Sequence, residues 1–219
     1  MNRICFLAAI VVVFVVQSTA RPQSQDPPKF EVAGEFTTLQ RDPPIGFSVG
    51  KRTVAGLGGR FTYNLSSVFS FEGAGYFFPE DCFDCDGPGE ATEILGGVKV
   101  GKRFDRWGVF AKARPGIFYH DSTFGGPVTC LNITCPTPIE PFEIKKIHFA
   151  VDIGGVVEFY PSRRIVTRFD AGDTIVKFRG TVTDGIVRRP GGGFDPFQFV
   201  LPGRTSHNFQ FIAGVGLRF

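Results

Sequence analysis

The segment from Ser206 to the C-terminus, SHNFQFIAGVGLRF, alternates with great regularity. Phe209, Phe211, Ala213, Val215, Leu217 and Phe219 fall on one parity; Gln210, Ile212, Gly214, Gly216 and Arg218 fall on the other. Successive side chains of a β-strand point to opposite faces, so a period of two makes a strand with one apolar face and one polar or very small face. The pattern recurs from Ile147, where Phe149, Val151, Ile153, Val157 and Phe159 oppose His148, Asp152, Gly154 and Glu158. Val109, Ala111, Ala113, Ile117 and Tyr119 oppose Lys112, Arg114 and His120, and Ile94, Val98, Val100 and Phe104 oppose Lys99, Gly101 and Arg103. Phe69, Phe71, Gly73 and Phe77 oppose Glu72 and Ala74. Nearer the N-terminus, Val32, Gly34 and Phe36 oppose Glu31 and Glu35, while Ala55, Leu57, Phe61 and Tyr63 oppose Arg60. In an eighth segment, RIVTRFDAGDTIVKF, Ile165 and Phe169 oppose Arg168 and Asp170. Its phase blurs after Gly172, as a bulge or an early exit from a membrane would make it.

The polar parity gathers acids Glu31, Glu35, Glu72, Asp152, Glu158 and Asp170 with bases Arg60, Lys99, Arg103, Lys112, Arg114, Arg168 and Arg218, nearly balanced in sign. Two architectures accept such strands. A soluble sandwich would pack the Phe faces together and put the charges in water, whereas a membrane barrel turns the Phe faces to lipid and the charges inward. The sandwich would need a core holding most of 26 Phe with a single Trp and a single Met as filler, which favours the barrel. Eight strands leave an interior just wide enough for side chains, so an open pore is not expected. Charges there survive only if paired and hydrogen-bonded, which their near balance allows.

Connection lengths give a second, independent signal. Short links fall around Asn64 to Ser67, Asp105 to Trp107 and Pro161 to Arg163, and long ones run from Arg41 to Arg52, Pro79 to Ala91, Asp121 to Lys146 and about Gly180 to Arg204. Short turns on one side and long loops on the other suit a membrane barrel with periplasmic turns and extracellular loops. An immunoglobulin-like sandwich has no reason to alternate in this way. At the N-terminus Arg3 precedes an apolar run from Ile4 to Val16 that ends at Ser18-Thr19-Ala20. That run is too short for a spanning helix and reads as a cleaved export signal. Cleavage after Ala20 removes Arg3 and lowers the formal charge from +3 to +2, too near neutral to imply nucleic acid.

The expected fold is therefore all-β, an eight-stranded antiparallel transmembrane up-and-down β-barrel. Residues 1–20 form the signal peptide, 21–29 a short lead and 30–219 the barrel.

Three stretches carry a family resemblance. The terminal FQFIAGVGLRF, the hairpin GGVVEFYPSRRIVTRFDAGD from Gly154, and VKVGKRFDRWGVFAKARPG from Val98 resemble the OmpA-type eight-stranded outer-membrane β-barrel family, whose likeness extends over essentially all of the mature sequence. The resemblance implies a bacterial outer-membrane location after Sec-type export. It also implies an assembly signal made of Phe209, Phe211, Val215, Leu217 and Phe219 that engages the barrel-assembly machinery, and contact with outer-membrane lipid and lipopolysaccharide. No periplasmic cell-wall-binding domain is expected after Phe219.

Chemistry beyond the barrel is sparse. Four of the five cysteines follow Ala20, as Cys82-x-x-Cys85 and Cys130-x4-Cys135 in two long loops. In an exported chain an even count argues for disulfides, of which three pairings are possible. A four-thiolate zinc site is the weaker alternative, and no metal or cofactor is expected. The histidines are His120, His148 and His207. His148 and Asp152 share a strand face but lie ~13 Å apart, too far for a base and its orienting acid, so catalysis is not expected. The chain reads as a structural or surface-interaction protein whose loops bind an unknown ligand. The alternatives are a small lipid-modifying enzyme and a periplasmic lipocalin-like carrier.

Overall fold

The computed structural model describes residues 27–41, 51–79, 90–124, 142–188 and 194–219. Ten strands follow one another along them: β1 Phe30–Arg41, β2 Arg52–Asn64, β3 Phe69–Phe78, β4 Ala91–Arg103, β5 Trp107–Phe124, β6 Phe142–Phe159, β7 Ile165–Phe178, β8 Thr181–Arg188, β9 Phe194–Leu201 and β10 Arg204–Arg218. Eight close into a barrel in the order β1-β10-β7-β6-β5-β4-β3-β2, every neighbour antiparallel, while β8 and β9 pair only with each other.

The register fixes the barrel's geometry. Val215 faces Gly34, which faces Gly59, then Gly75, Ile94, Ile117, Phe149 and Lys177, and Lys177 faces Thr205 on the starting strand. One circuit thus displaces the register by ten residues along β10, from Val215 to Thr205. With eight strands that shear corresponds to strands tilted ~40° from the barrel axis and a lumen that side chains fill. The seam closes at the C-terminus, where Phe30 and Phe219 exchange both backbone hydrogen bonds at 2.9 Å.

Burial follows the parity of each strand, with polarity inverted relative to a soluble protein. Leu57, Phe61, Phe71, Ile94, Phe149, Ile153, Val215, Leu217 and Phe219 are exposed, while Glu31, Arg60, Glu72, Lys99, Arg114, Glu158 and Arg168 are buried. Aromatic rings collect toward the end that carries the short turns: Phe30 lies 5.3 Å from Tyr63 and 5.9 Å from Phe219, and Phe104 stacks on Trp107 at 4.3 Å. Such a girdle belongs at a membrane interface.

Glycine divides along the same line. Inward-facing Gly116 and Gly154 have no room for a side chain, because a Cβ would come within 2.0 Å of the Ile94 carbonyl and 2.4 Å of the Ala171 carbonyl. Outward-facing Gly34, Gly73 and Gly155 would meet nothing within 4 Å. Strands that coil around a narrow lumen crowd on the concave side, so the inward glycines are what allow the curvature.

Two short turns rest on a serine hydroxyl. Ser66 accepts from the Val68 and Phe69 amides, and Ser162 from the Arg164 and Ile165 amides. The loop side departs from expectation. β5 and β6 pair as far as Phe124 and Phe142, so the ends of the segment expected as a loop from Asp121 to Lys146 are strand. The Gly180 to Arg204 connection holds the hairpin β8–β9. No bulge explains the blurred phase after Gly172, since β7 keeps unbroken register to Phe178. What changes is chemistry: Asp173 turns outward and is met by His207 Nδ1 at 2.6 Å. Residues 1–26, Cys82, Cys85, Cys130, Cys135 and the 191–193 glycines lie outside the described residues.

Candidate functional site

The lumen is where this chain concentrates its chemistry, and it is layered. At the turn end, Glu31 near the start of β1 receives Asn64 Nδ2 at 2.9 Å and stands 3.3 Å from Arg218 Nε and 3.6 Å from both Arg60 and Arg103. Tyr160, just beyond β6, donates to Glu158 at 2.8 Å and accepts from Arg103 Nε at 2.9 Å, with the Arg218 guanidinium 4.3 Å from its ring centre.

A lattice of opposite charges occupies the next layer. Glu72 lies at the centre: both terminal Arg168 nitrogens, Nη1 and Nη2, donate to it, Nη2 at 3.0 Å, and Lys99 and Arg60 stand at 3.4 and 3.7 Å. Lys99 also donates to Glu158. Asp170 accepts from Arg168 Nη2 at 2.8 Å and Lys112 at 3.1 Å, and Asp152 from Arg114 Nε at 2.8 Å with Lys112 at 2.9 Å. Glu35 accepts from Arg60 Nε at 2.8 Å and from the Tyr76 hydroxyl at 2.6 Å. Glu31, Glu72, Asp152, Glu158 and Asp170 each meet more than one cation, and Arg60, Lys99, Arg103, Lys112, Arg114 and Arg168 each meet more than one carboxylate, so desolvation is offset across a network, which an isolated pair could not achieve.

Above the lattice the polar chain thins to Gln210, which donates to Glu93 at 2.9 Å and to Thr37 at 3.2 Å and accepts from Thr174 at 2.8 Å. Toward the loop end the lumen becomes apolar: Leu39, Val54, Phe78, Ala91, Leu95, Phe118, Ala150, Val176 and Ile212 form one buried cluster. Over that cluster His120 and His148 face each other, Nε2 to Nε2 at 3.1 Å.

No family model matches the sequence, and no curated protein does. Solved structures match over nearly the whole fold. Neisserial surface protein A aligns with a TM-score of 0.52 at 12% identity, covering 87% of this chain and 97% of its own. The attachment invasion locus protein Ail of Yersinia pestis aligns with a TM-score of 0.51 at 11% identity, covering 88% of this chain and 99% of its own.

The fold is the closed eight-stranded antiparallel barrel that these two proteins share. At such identities the likeness concerns architecture alone, and the lumen must be read from its own residues.

The barrel holds Glu31, Glu35, Arg60, Glu72, Lys99, Lys112, Arg114, Asp152, Glu158, Arg168, Asp170 and Arg218 buried in its interior, with Arg103 beside them at the turn end. The outward face of β10 carries exposed Phe209, Phe211, Val215 and Leu217, and Phe219 follows it, also exposed. His148 does not meet Asp152: its ring reaches His120, and Asp152 is held by Arg114. Sequence reasoning missed Glu93, Arg41, Tyr76 and Asn64 as lumen residues, all buried, while Gln210 already fell on the inward parity. Strand parity alone would have placed Glu93 inward, six residues before Lys99 on β4. It also missed the Asp173–His207 pair, since a charge on the lipid-facing parity looks like an error of phase until its partner on the next strand is known.

Proposed function

We propose that the chain is an integral protein of the bacterial outer membrane, a sealed barrel that serves as a platform for surface-exposed elements which bind a ligand outside the cell. The observation that carries this reading is the inverted polarity, an ion-paired interior inside a predominantly apolar outer wall. A lipocalin-like carrier needs the reverse, an apolar cavity within a wetted wall. Two seals in series, the charge lattice and the apolar cluster, support the absence of an open pore. The structure at the loop end supports the platform role, because β5 and β6 outrun β3 by eight residues each, 18 against 10, and β8–β9 form a hairpin of their own. In Ail the same architecture belongs to a protein named for attachment and invasion.

On this reading export is Sec-type, the terminal strand engages the barrel-assembly machinery, and lipopolysaccharide packs on the outer Phe belt. The test is purified, untagged protein in planar bilayers, together with protease shaving of intact cells. Absence of steady conductance and cleavage confined to the segments between β1 and β2, β3 and β4, β5 and β6, and β7 and β10 are expected. A stable single-channel step, or cleavage at the short turns of intact cells, would overturn the proposal.

A further inference from the structure

We propose that His120 and His148 form a binding site for a divalent transition-metal ion of the zinc, copper or nickel class at the loop-end mouth of the lumen. The two residues sit on neighbouring strands. Phe118 faces His148 in the β5–β6 register, which makes His120 and His148 diagonal neighbours on the inward side. Diagonal positions lie ~7–8 Å apart at the backbone, a separation two imidazole arms can close from both sides.

The ring separations are compatible with two ligands that share one ion. Their Nε2 atoms are 3.1 Å apart, the ring centres 5.0 Å, and the planes within 16° of each other. Imidazole nitrogens bind these ions at ~2.0–2.1 Å, so two sharing one ion at square to tetrahedral angles lie ~2.9–3.4 Å apart with ring centres ~4.5–5.2 Å apart. Without an ion the same two nitrogens form a hydrogen bond, one protonated and one bare, and a bent bond spans the same ring-centre separation, so the pair is already placed at a distance that a shared ion can occupy.

The surroundings fix the rings and keep water away. Both residues are buried, Phe178 lies 4.7 Å from His148 and 5.8 Å from His120, and Phe118 stands 6.3 Å from His120. The two guanidinium groups nearby, Arg41 and Arg204, lie over the Phe118 and Phe178 rings at 5.6 and 5.4 Å. Among the described residues no third His, Cys, Asp or Glu joins the pair. Imidazole suits zinc, copper and nickel, and the ordinary affinity order places copper first.

The experiment uses the full, untagged chain in detergent micelles, with thiols blocked by iodoacetamide so that the loop cysteines cannot compete. Cu(II) is titrated calorimetrically, and the complex is examined by electron paramagnetic resonance. The expected result is one saturable equivalent with nitrogen hyperfine structure from two imidazoles. His120→Gln and His148→Gln should each weaken binding roughly tenfold or more, and His207→Gln should leave it unchanged. Heat-modifiable gel migration verifies that each variant is folded; should one fail, the resonance spectrum of the native protein still decides. No saturable binding, a spectrum with one imidazole or none, or loss confined to His207→Gln would overturn the proposal.

Discussion

At the scale of single residues, the lumen charges show how parity and partnership carry different amounts of information. Which side a residue faces follows from its position in one strand, and alternation alone put Arg168 and Glu72 inside. Who meets whom depends on the shear, which no single strand encodes. Arg60 finds Glu35 on the adjacent strand, but Arg168 reaches across the lumen to Glu72, 96 residues away in the chain. Arg168→Met should cost roughly 3–5 kcal/mol, the penalty for leaving buried carboxylates short of a cation, read as the urea midpoint in lipid vesicles. The loss should fall toward the lower end because Lys99 and Lys112 remain on Glu72 and Asp170. Adding Glu72→Gln should restore part of the loss, giving a coupling of about 0.5–3 kcal/mol in a double-mutant cycle. Strict additivity would show that the two groups do not act as a pair.

At the scale of elements, seven of the eight barrel strands were legible because their lipid-facing parity is apolar along its length, and β7 was legible only in part. After Gly172 its outward positions are Asp173, Ile175 and Lys177, so the periodic signal fades while the register persists. The β8–β9 hairpin was not legible. Pro196 lies within β9 opposite Ile186, and a proline demotes a run to non-strand when edge and centre cannot be told apart. Glycine gives the sharpest test of the curvature. Gly116→Ala would press a methyl against the Ile94 carbonyl and should destabilise by about 1–3 kcal/mol. Gly155→Ala has open space and should gain about 0.5–1 kcal/mol from the lost freedom of the unfolded chain. Equal effects at the two sites in vesicle unfolding would refute the concave crowding. The terminal strand makes a separate prediction. Because Phe219 closes the seam with Phe30 by two backbone bonds, deleting it or introducing Phe219→Asp should abolish outer-membrane assembly while export continues. Normal levels of the truncated chain in outer-membrane fractions would count against that role.

At the scale of the whole molecule, the barrel and the hairpin β8–β9 are separate hydrogen-bonded units, and the separation can be measured. Its strands bond only to each other, so none of the barrel's hydrogen-bond ladder depends on it. Its two attachment points are already adjacent, since a Cβ on Gly203 would come within 3.0 Å of the Gly180 amide nitrogen. Excising residues 181–201 and joining Gly180 to Pro202 should therefore leave a short, closable turn between β7 and β10. Loop-closure entropy changes by only ~0.6 kcal/mol for each halving of loop length, so the shorter connection should raise the barrel's stability by about 1–2 kcal/mol or leave it unchanged. The expected outcome is normal outer-membrane assembly, retained heat-modifiable migration and a urea midpoint equal to or slightly above that of the parent chain. Failure of the excised chain to assemble would make the hairpin part of the folding unit, and the division between a rigid platform and a separable surface element would then be lost.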